Sequence, residues 1–453
     1  MDPSVRLIVG WDTDLKTRAA LQQAVTKTPH THSMTIAPTG AGKGVGVVIP
    51  NLLNYRGPII VIDPKAENYF ITHEFRRKLG QKVYLVDPFG ETEALTRNRD
   101  DFETPRIDRF NPLDLLTMKR DPESRPDDAI MITELFSPDD DPRNNLWNTK
   151  AKELVSGIIY HLATHPRETD RSLRRLSEIF TTEEFTFSEN GSEVFNGNRK
   201  TFIDQIIEDP NTEPFAKAQL RPLQQVTRGG MMSDIFSFVT NFLSVMRSDR
   251  VLASLANATI DFDTIRDGKD FTIYIVIPPN KLVSHRPLLR AYVGVLMAVI
   301  MQRKEEPELP TLFLLDECAQ LGMLEHLRTA VTLLRGYGLR TWMFFQDLSQ
   351  LKRLYYGDWE TMVANCGIVQ AFGLNRAVGN EDLAKTLGFN DSKSVFEMLR
   401  ISRNHQIASI DGHDPRLLGL SRYYEDACFR DRAGIDPRRR RPRAPTRKPP
   451  SQD

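Results

Sequence analysis

Cysteine is scarce in this chain. Only Cys318, Cys366 and Cys428 occur in 453 residues, and no two stand as C-x-x-C, a usage that suggests a reducing compartment and offers no zinc-ligand spacing. The nine histidines show no metal-ligand spacing either. Net charge is also absent: Lys plus Arg and Asp plus Glu each total 60, so charge balance gives no sign of nucleic-acid binding. Long apolar runs are missing. The best candidate, Ala291 to Met301 (AYVGVLMAVIM), is far shorter than the ~20 residues of a membrane-spanning helix and is expected as a buried core helix. No secretory leader and no internal repeat is visible. What is present, 40% apolar and 26% charged residues, suits a soluble enzyme of two domains or one elaborated domain.

Against that background one loop stands out. Ala37-Pro38-Thr39-Gly40-Ala41-Gly42-Lys43-Gly44 follows a short apolar run, and Gly40 and Gly42 can take positive φ, so successive N–H groups can point inward as an anion nest. Lys43 then reaches the β- and γ-phosphates of a nucleotide. The loop departs from G-x-x-x-x-G-K-[ST] at both ends: Ala37 replaces the first glycine, and Gly44 replaces the hydroxyl residue that would ligate Mg2+. Val45, Val47, Val48 and Ile49 favour a strand and Pro50 would kink a helix. A helix is nevertheless expected, because its unpaired N–H groups and positive dipole end would face the phosphates. Thr39, Gly40, Ala41, Gly42, Lys43, Gly44 and Val45 are therefore the candidate nucleotide-binding residues.

Far downstream, Thr311 to Glu317 (TLFLLDE) is an apolar strand ending in two carboxylates. Loop and acids together are the minimum equipment of a P-loop NTPase. Asp316 is expected in the Mg2+ shell. Glu317 is expected as the general base polarising the attacking water, with the two acids on opposite faces of the strand.

Seven apolar runs mark a mostly parallel sheet: Met34 to Ile36, Ile59 to Ile62, Val83 to Val86, Ile273 to Ile277, Leu312 to Leu315, Thr341 to Phe345 and Ile368 to Phe372. Near-continuous apolar strands with both faces covered indicate an α/β fold, with ligands at the carboxyl ends of the strands. Between the halves of the sheet the period changes. Ala151, Leu154, Val155, Ile158, Ile159 and Leu162 follow helical spacing, as do Ile235, Phe238, Val239, Phe242, Leu243 and Met246, with Phe202, Ile203, Ile206 and Ile207 between them. The expected organisation is a nucleotide-binding domain over 1–115, an inserted all-α domain over 116–256, the second part of the nucleotide-binding domain over 257–425, and a disordered basic Pro/Arg tail over 426–453.

The chain resembles the VirD4/TraG family of type IV secretion coupling proteins, the conjugative transfer ATPases. The resemblance rests on IAPTGAGKGVGVVIPNLL from Ile36, IIVIDPKAENY from Ile59, LFLLDECAQLG from Leu312, LLRGYGLRTWMFFQDLSQLK from Leu333 and NCGIVQAFG from Asn365. These stretches run in order from about Ser33 to Leu387, and the TraG-like branch commonly has glycine after the loop lysine. The resemblance implies a RecA-like P-loop core, ATP with Mg2+, and a homo-hexamer on the cytoplasmic side of the bacterial inner membrane. The family usually carries an amino-terminal membrane anchor, whereas Met1 to Ser33 has no long apolar run; the expectation is either a naturally soluble branch member, reaching the membrane through an anchor partner, or a chain lacking a piece that a longer relative has. The implied partners are a relaxase with single-stranded DNA, or effector proteins, and type IV secretion channel components. Gln346 is implied as the sensor glutamine, and Arg335 in RGYG is either an arginine finger of a ring or a salt bridge at a helix end. Asp63, Lys65 and Glu67 line the site or the subunit seam. Two other functions stay open: a nucleotide-dependent docking protein that moves no DNA, and a cytosolic RecA-like motor outside secretion. Arg438 to Arg443 either adds affinity for DNA or anionic lipid or is simply solvated.

Overall fold

The computed structural model describes residues 3–13, 20–118, 122–137, 145–181, 185–189, 192–197, 199–224, 229–374, 381–389, 404–420 and 422–438. Its strands in the first half are β1 (Leu7–Thr13), β2 (Ala20–Lys27), β3 (His32–Ile36), β4 (Ile59–Ile62), β5 (Lys82–Val86), β6 (Phe185–Glu189) and β7 (Ser192–Gly197). In the second half are β8 (Phe271–Ile275), β9 (Thr311–Leu315), β10 (Leu339–Phe345), β11 (Cys366–Ala371), β12 (His405–Ile410) and β13 (Arg416–Gly419). Eleven of them form one sheet in the order β2-β1-β13-β12-β11-β3-β10-β9-β4-β8-β5. From β11 to β5 every pairing is parallel, and these are the seven strands expected from apolar runs, with ends shifted by no more than a couple of residues. The other four pair antiparallel along one edge.

Period-two alternation divides the strand side chains between two cores. Ile36, Ile60, Phe313, Leu315, Met343 and Phe345 fall in one buried cluster, while Ile59, Val61, Leu312, Leu314, Trp342 and Phe344 fall in the other. Both faces are thereby covered, which is what makes the strands uninterrupted apolar runs. The expected core helix extends over Arg286–Met301 and lies in the first cluster. Gly294 within it is needed for close packing, since a Cβ there would lie 2.5 Å from the Leu135 side chain.

Three expectations are corrected. The 116–256 segment is not all-α: β6 and β7 form an antiparallel hairpin among its helices, with too few residues to register against the helical periodicity around it. The helices themselves form as expected, Asn145–Thr164 and Gly229–Phe242 included, and they share one continuous buried cluster with the sheet. The tail does not begin at 426. Ala427–Arg430 is a helix whose Phe429 is buried with Ile8, Ile49, Leu53, Ile71 and Tyr423, and the Gly434 N–H donates to Ile71 O at 2.7 Å. One well-placed aromatic supplies the burial that composition alone did not suggest. Arg438 closes the described chain with a 2.7 Å bond to Glu91, and residues 439–453 lie outside the described residues. Finally, β9 ends at Leu315, so Asp316 and Glu317 lie beyond the strand and the opposite-face argument does not apply to them.

Candidate functional site

The phosphate loop takes the expected shape. Gly40 and Gly42 have φ of +79° and +100°, values at which a side chain would be strained. Ala37, in the place of the usual first glycine, is fully buried and ties the loop to the neighbouring strand, its N–H donating to Phe345 O at 2.9 Å. After Lys43 the chain turns helical despite its valines. The first turn, Gly44–Val48, is a wide π turn in which the Ile49 N–H donates to Gly44 O, and α1 (Ile49–Leu52) follows. Pro50 has no N–H for Gly46 O, so the wide turn absorbs the residue that argued against a helix.

Strand order assembles the rest. Because β10 lies between β3 and β9, the end of β10 places Gln346 between the phosphate loop and the acids. Gln346 Nε2 donates to Glu317 Oε2 at 3.0 Å, and Glu317 Oε1 lies 3.6 Å from Lys43 Nζ. Lys43 is buried and also donates to Ala37 O at 3.3 Å. Glu317 adopts φ +59°, a left-handed conformation that costs a non-glycine residue ~1–3 kcal/mol and is commonly held at functional sites. Ala66, opening α2 (Glu67–Lys78), is likewise left-handed at φ +55°. Its turn carries Asp63, whose Oδ2 accepts from the Tyr69 N–H at 2.8 Å.

Both aspartates feel the low polarity of the site. Burial pushes Asp63 up to about 7, backbone hydrogen bonds from Tyr69 and Asn68 opposing. Asp316 is pushed up to about 6, again chiefly by burial, with Lys43 opposing and Glu317 adding to the shift. Buried carboxylates that hold their protons this tightly suit a site where a cation compensates them.

One cavity of about 840 Å³ collects these groups. Thr39, Gly40, Ala41, Gly42, Lys43, Gly44, Val45, Asp63, Lys65, Glu67, Asp316, Glu317 and Gln346 all line it. Arg335 does not. It is exposed in the turn before β10, at the opposite end of the strands, in a second cavity of about 530 Å³ with His32 and Asn365. Sequence reasoning missed Gln320, Gly373, Arg422 and Tyr424, which also line the first cavity. Gly373 could have been found: it closes the NCGIVQAFG stretch, has φ +69°, and a Cβ on it would sit 2.5 Å from Ala41 Cβ. No local signal marks Arg422 or Tyr424, because only the sheet topology brings them to the loop.

A glycine nest ending in lysine, with paired acids and a glutamine just beyond the carboxyl ends of adjoining parallel strands, defines a RecA-like P-loop NTPase fold. The chain belongs to the family described as "Type IV secretory system Conjugative DNA transfer", whose model matches residues 12–390. It is 24% identical over 376 residues to a conjugal transfer protein TraG of Escherichia coli, covering 79% of this chain and 55% of that protein. It is 25% identical over 439 residues to VirD4 of Agrobacterium fabrum (strain C58), covering 88% of this chain and 59% of that protein. The chain thus spans between half and two thirds of these relatives' length. Among solved structures, the plasmid coupling protein TrwB in complex with an ATP analogue superposes with a TM-score of 0.62 at 16% identity, covering 92% of this chain and 94% of that one. TrwB in complex with ADP and Mg2+ gives 0.60, also at 16% identity and 92% coverage of this chain and 95% of that one. Among the described residues no helix is long and apolar enough to cross a membrane.

Proposed function

We propose that this chain is an ATP-hydrolysing coupling protein that recruits DNA, as a relaxase–single-strand complex, or protein substrates and drives them into a type IV secretion channel. The observation that carries the reading is the placement of Glu317 between Lys43 and Gln346 at the mouth of the phosphate loop. The loop N–H groups and Lys43 hold the β- and γ-phosphates. Glu317 takes the proton of the attacking water, and Gln346, bonded to the other carboxylate oxygen, fixes its orientation. Asp316, lining the cavity beside Lys43, is the residue that would hold Mg2+, since Gly44 offers no hydroxyl for the purpose. When bound, the ion would supply charge neutralisation of the phosphates.

Arg335, exposed and remote from its own loop, suits a finger that reaches a neighbouring subunit's site in a homo-hexamer. Relatives named conjugal transfer protein and the matching family model support the transfer role. Work on the cytoplasmic side of the inner membrane, through a membrane-anchor partner, completes the reading. The test is ATP turnover with and without single-stranded DNA. Stimulation by DNA is expected; absence of turnover under both conditions overturns the ATPase, and turnover indifferent to DNA overturns the DNA motor in favour of a docking protein.

A further inference from the structure

The chain after β13 passes over the phosphate loop and puts two polar side chains into its cavity. Tyr423 is buried against Ile49 and Leu53, and its N–H donates to Val45 O at 3.3 Å. Its neighbours Arg422 and Tyr424 are the ones that line the cavity. Arg422 Nη1 donates to Tyr424 Oη at 2.9 Å, and Nη2 donates to Asn404 Oδ1 at 2.9 Å. Among the described residues no carboxylate forms an ion pair with Arg422, and its guanidinium lines a phosphate-binding cavity. The Tyr424 ring stands edge-on to that of Tyr423, at 83°, rather than stacking on it.

Position along the loop decides which part of a nucleotide these residues meet. Lys43, Glu317 and Gln346 gather at the γ end. The loop's backbone N–H groups are the part of such a site that cradles the α- and β-phosphates, and Tyr423 is anchored to Val45, two residues beyond the lysine. The geometry points to Tyr424 and Arg422 as the nucleoside end of the site: the Tyr424 ring stacks on the base, and Arg422, held by the Tyr424 hydroxyl and Asn404, places its charge at the α-phosphate. This rests on the cavity being the ATP site. A stacked ring is tolerant of base identity, so it favours nucleotides over bare polyphosphate without selecting strongly between adenine and guanine.

The experiment compares calorimetric binding of ADP and of inorganic tripolyphosphate, with Mg2+, to the wild type and to Tyr424→Ala, Tyr424→Phe, Tyr424→Trp and Arg422→Gln. Tyr424→Ala should weaken ADP by roughly 5- to 150-fold, the range of a lost base stack, and leave tripolyphosphate within about twofold. Phe and Trp should retain most of the ADP affinity, and they keep the comparison usable if the alanine variant unfolds. Arg422→Gln should cost more ADP affinity at low salt than at high salt, as a screened charge contact does. Equal losses for both ligands in Tyr424→Ala, or Phe and Trp variants as weak for ADP as a protein without the ring, overturn the stacking role; a salt-independent loss overturns the charge role. A wild type that binds tripolyphosphate but gains nothing from the nucleoside overturns this inference alone, whereas one that binds neither ligand overturns the nucleotide site itself.

Discussion

Gln346 donates to Glu317 across 3.0 Å, joining the ends of two adjacent parallel strands at the mouth of the phosphate loop. The bond leaves Oε1 of Glu317 directed towards Lys43, 3.6 Å away, so one carboxylate is oriented by a neutral donor and a cation at once.

Hydrolysis tests that arrangement most directly. Glu317→Gln should keep ATP affinity within several-fold while turnover falls by ~10²–10⁴, the usual worth of a positioned base. Lys43→Ala should lose affinity and turnover together. Wild-type turnover in Glu317→Gln would remove Glu317 as the base.

Arg335 is tested by mixing. Arg335→Ala should lower turnover by ~10³ or more, as for other trans arginines, without loss of ATP affinity. Mixed with Lys43→Ala subunits it should regain part of the activity, because some shared sites then pair an intact loop with an intact arginine. Full turnover in an oligomeric Arg335→Ala protein would assign the residue to structure instead.

Gly44 offers a gain-of-function test. A Cβ there meets nothing within 4 Å, so Gly44→Ser can be accommodated in the first turn of the helix. The added hydroxyl should lower the Mg2+ concentration that half-saturates ATP turnover, since it supplies a direct ligand. An unchanged Mg2+ titration would show that the metal does not approach residue 44.

Asp63 predicts a pH dependence of stability. Its carboxyl is held at about 7 in the fold, against an ordinary value of 3.8. The fold therefore favours the protonated form, and the contribution is complete below about pH 4 and lost as pH rises through 7. Asp63→Asn should raise the free energy of unfolding, measured by denaturant titration, above that of wild type by more at pH 8 than at pH 5, a difference of a few kcal/mol at about 1.4 kcal/mol per pH unit. Equal offsets at the two pH values would contradict burial as the cause.

The carboxyl-terminal arm separates into two parts. Phe429→Ala should destabilise the protein by ~3–5 kcal/mol through the cavity it leaves, measured by denaturant unfolding. Removing only residues 439–453 should spare basal ATP turnover and stability while weakening single-stranded DNA binding and flattening its salt dependence. An unchanged salt slope would take the arginine run out of DNA binding.

What could be seen in the residues follows burial. Strands covered on both faces, such as Ile59–Ile62, read as plain apolar runs, and the loop from Thr39 to Val45 carries its own chemistry. The antiparallel edge could not be seen, because β2 (ALQQAVTK) and the four-residue β13 (RLLG) mix polar and apolar residues without a sustained period. Asp63, Asp316 and Gln346 were placed by motif, whereas Arg422 and Tyr424 depend on where β13 happens to end. Glu317's left-handed backbone has no signature in LFLLDE, since the turn is imposed by what surrounds it.

The position of β3 also governs when a newly made chain can first hold a phosphate. Its partners are β10 and β11, which leave the ribosome some three hundred residues later, on the order of tens of seconds at ~5–20 residues per second. Through that interval Met34 and Ile36 belong to a strand with two open edges, and such edges invite pairing with other chains. Nucleotide can therefore begin to stabilise the fold only once nearly the whole sheet has been translated.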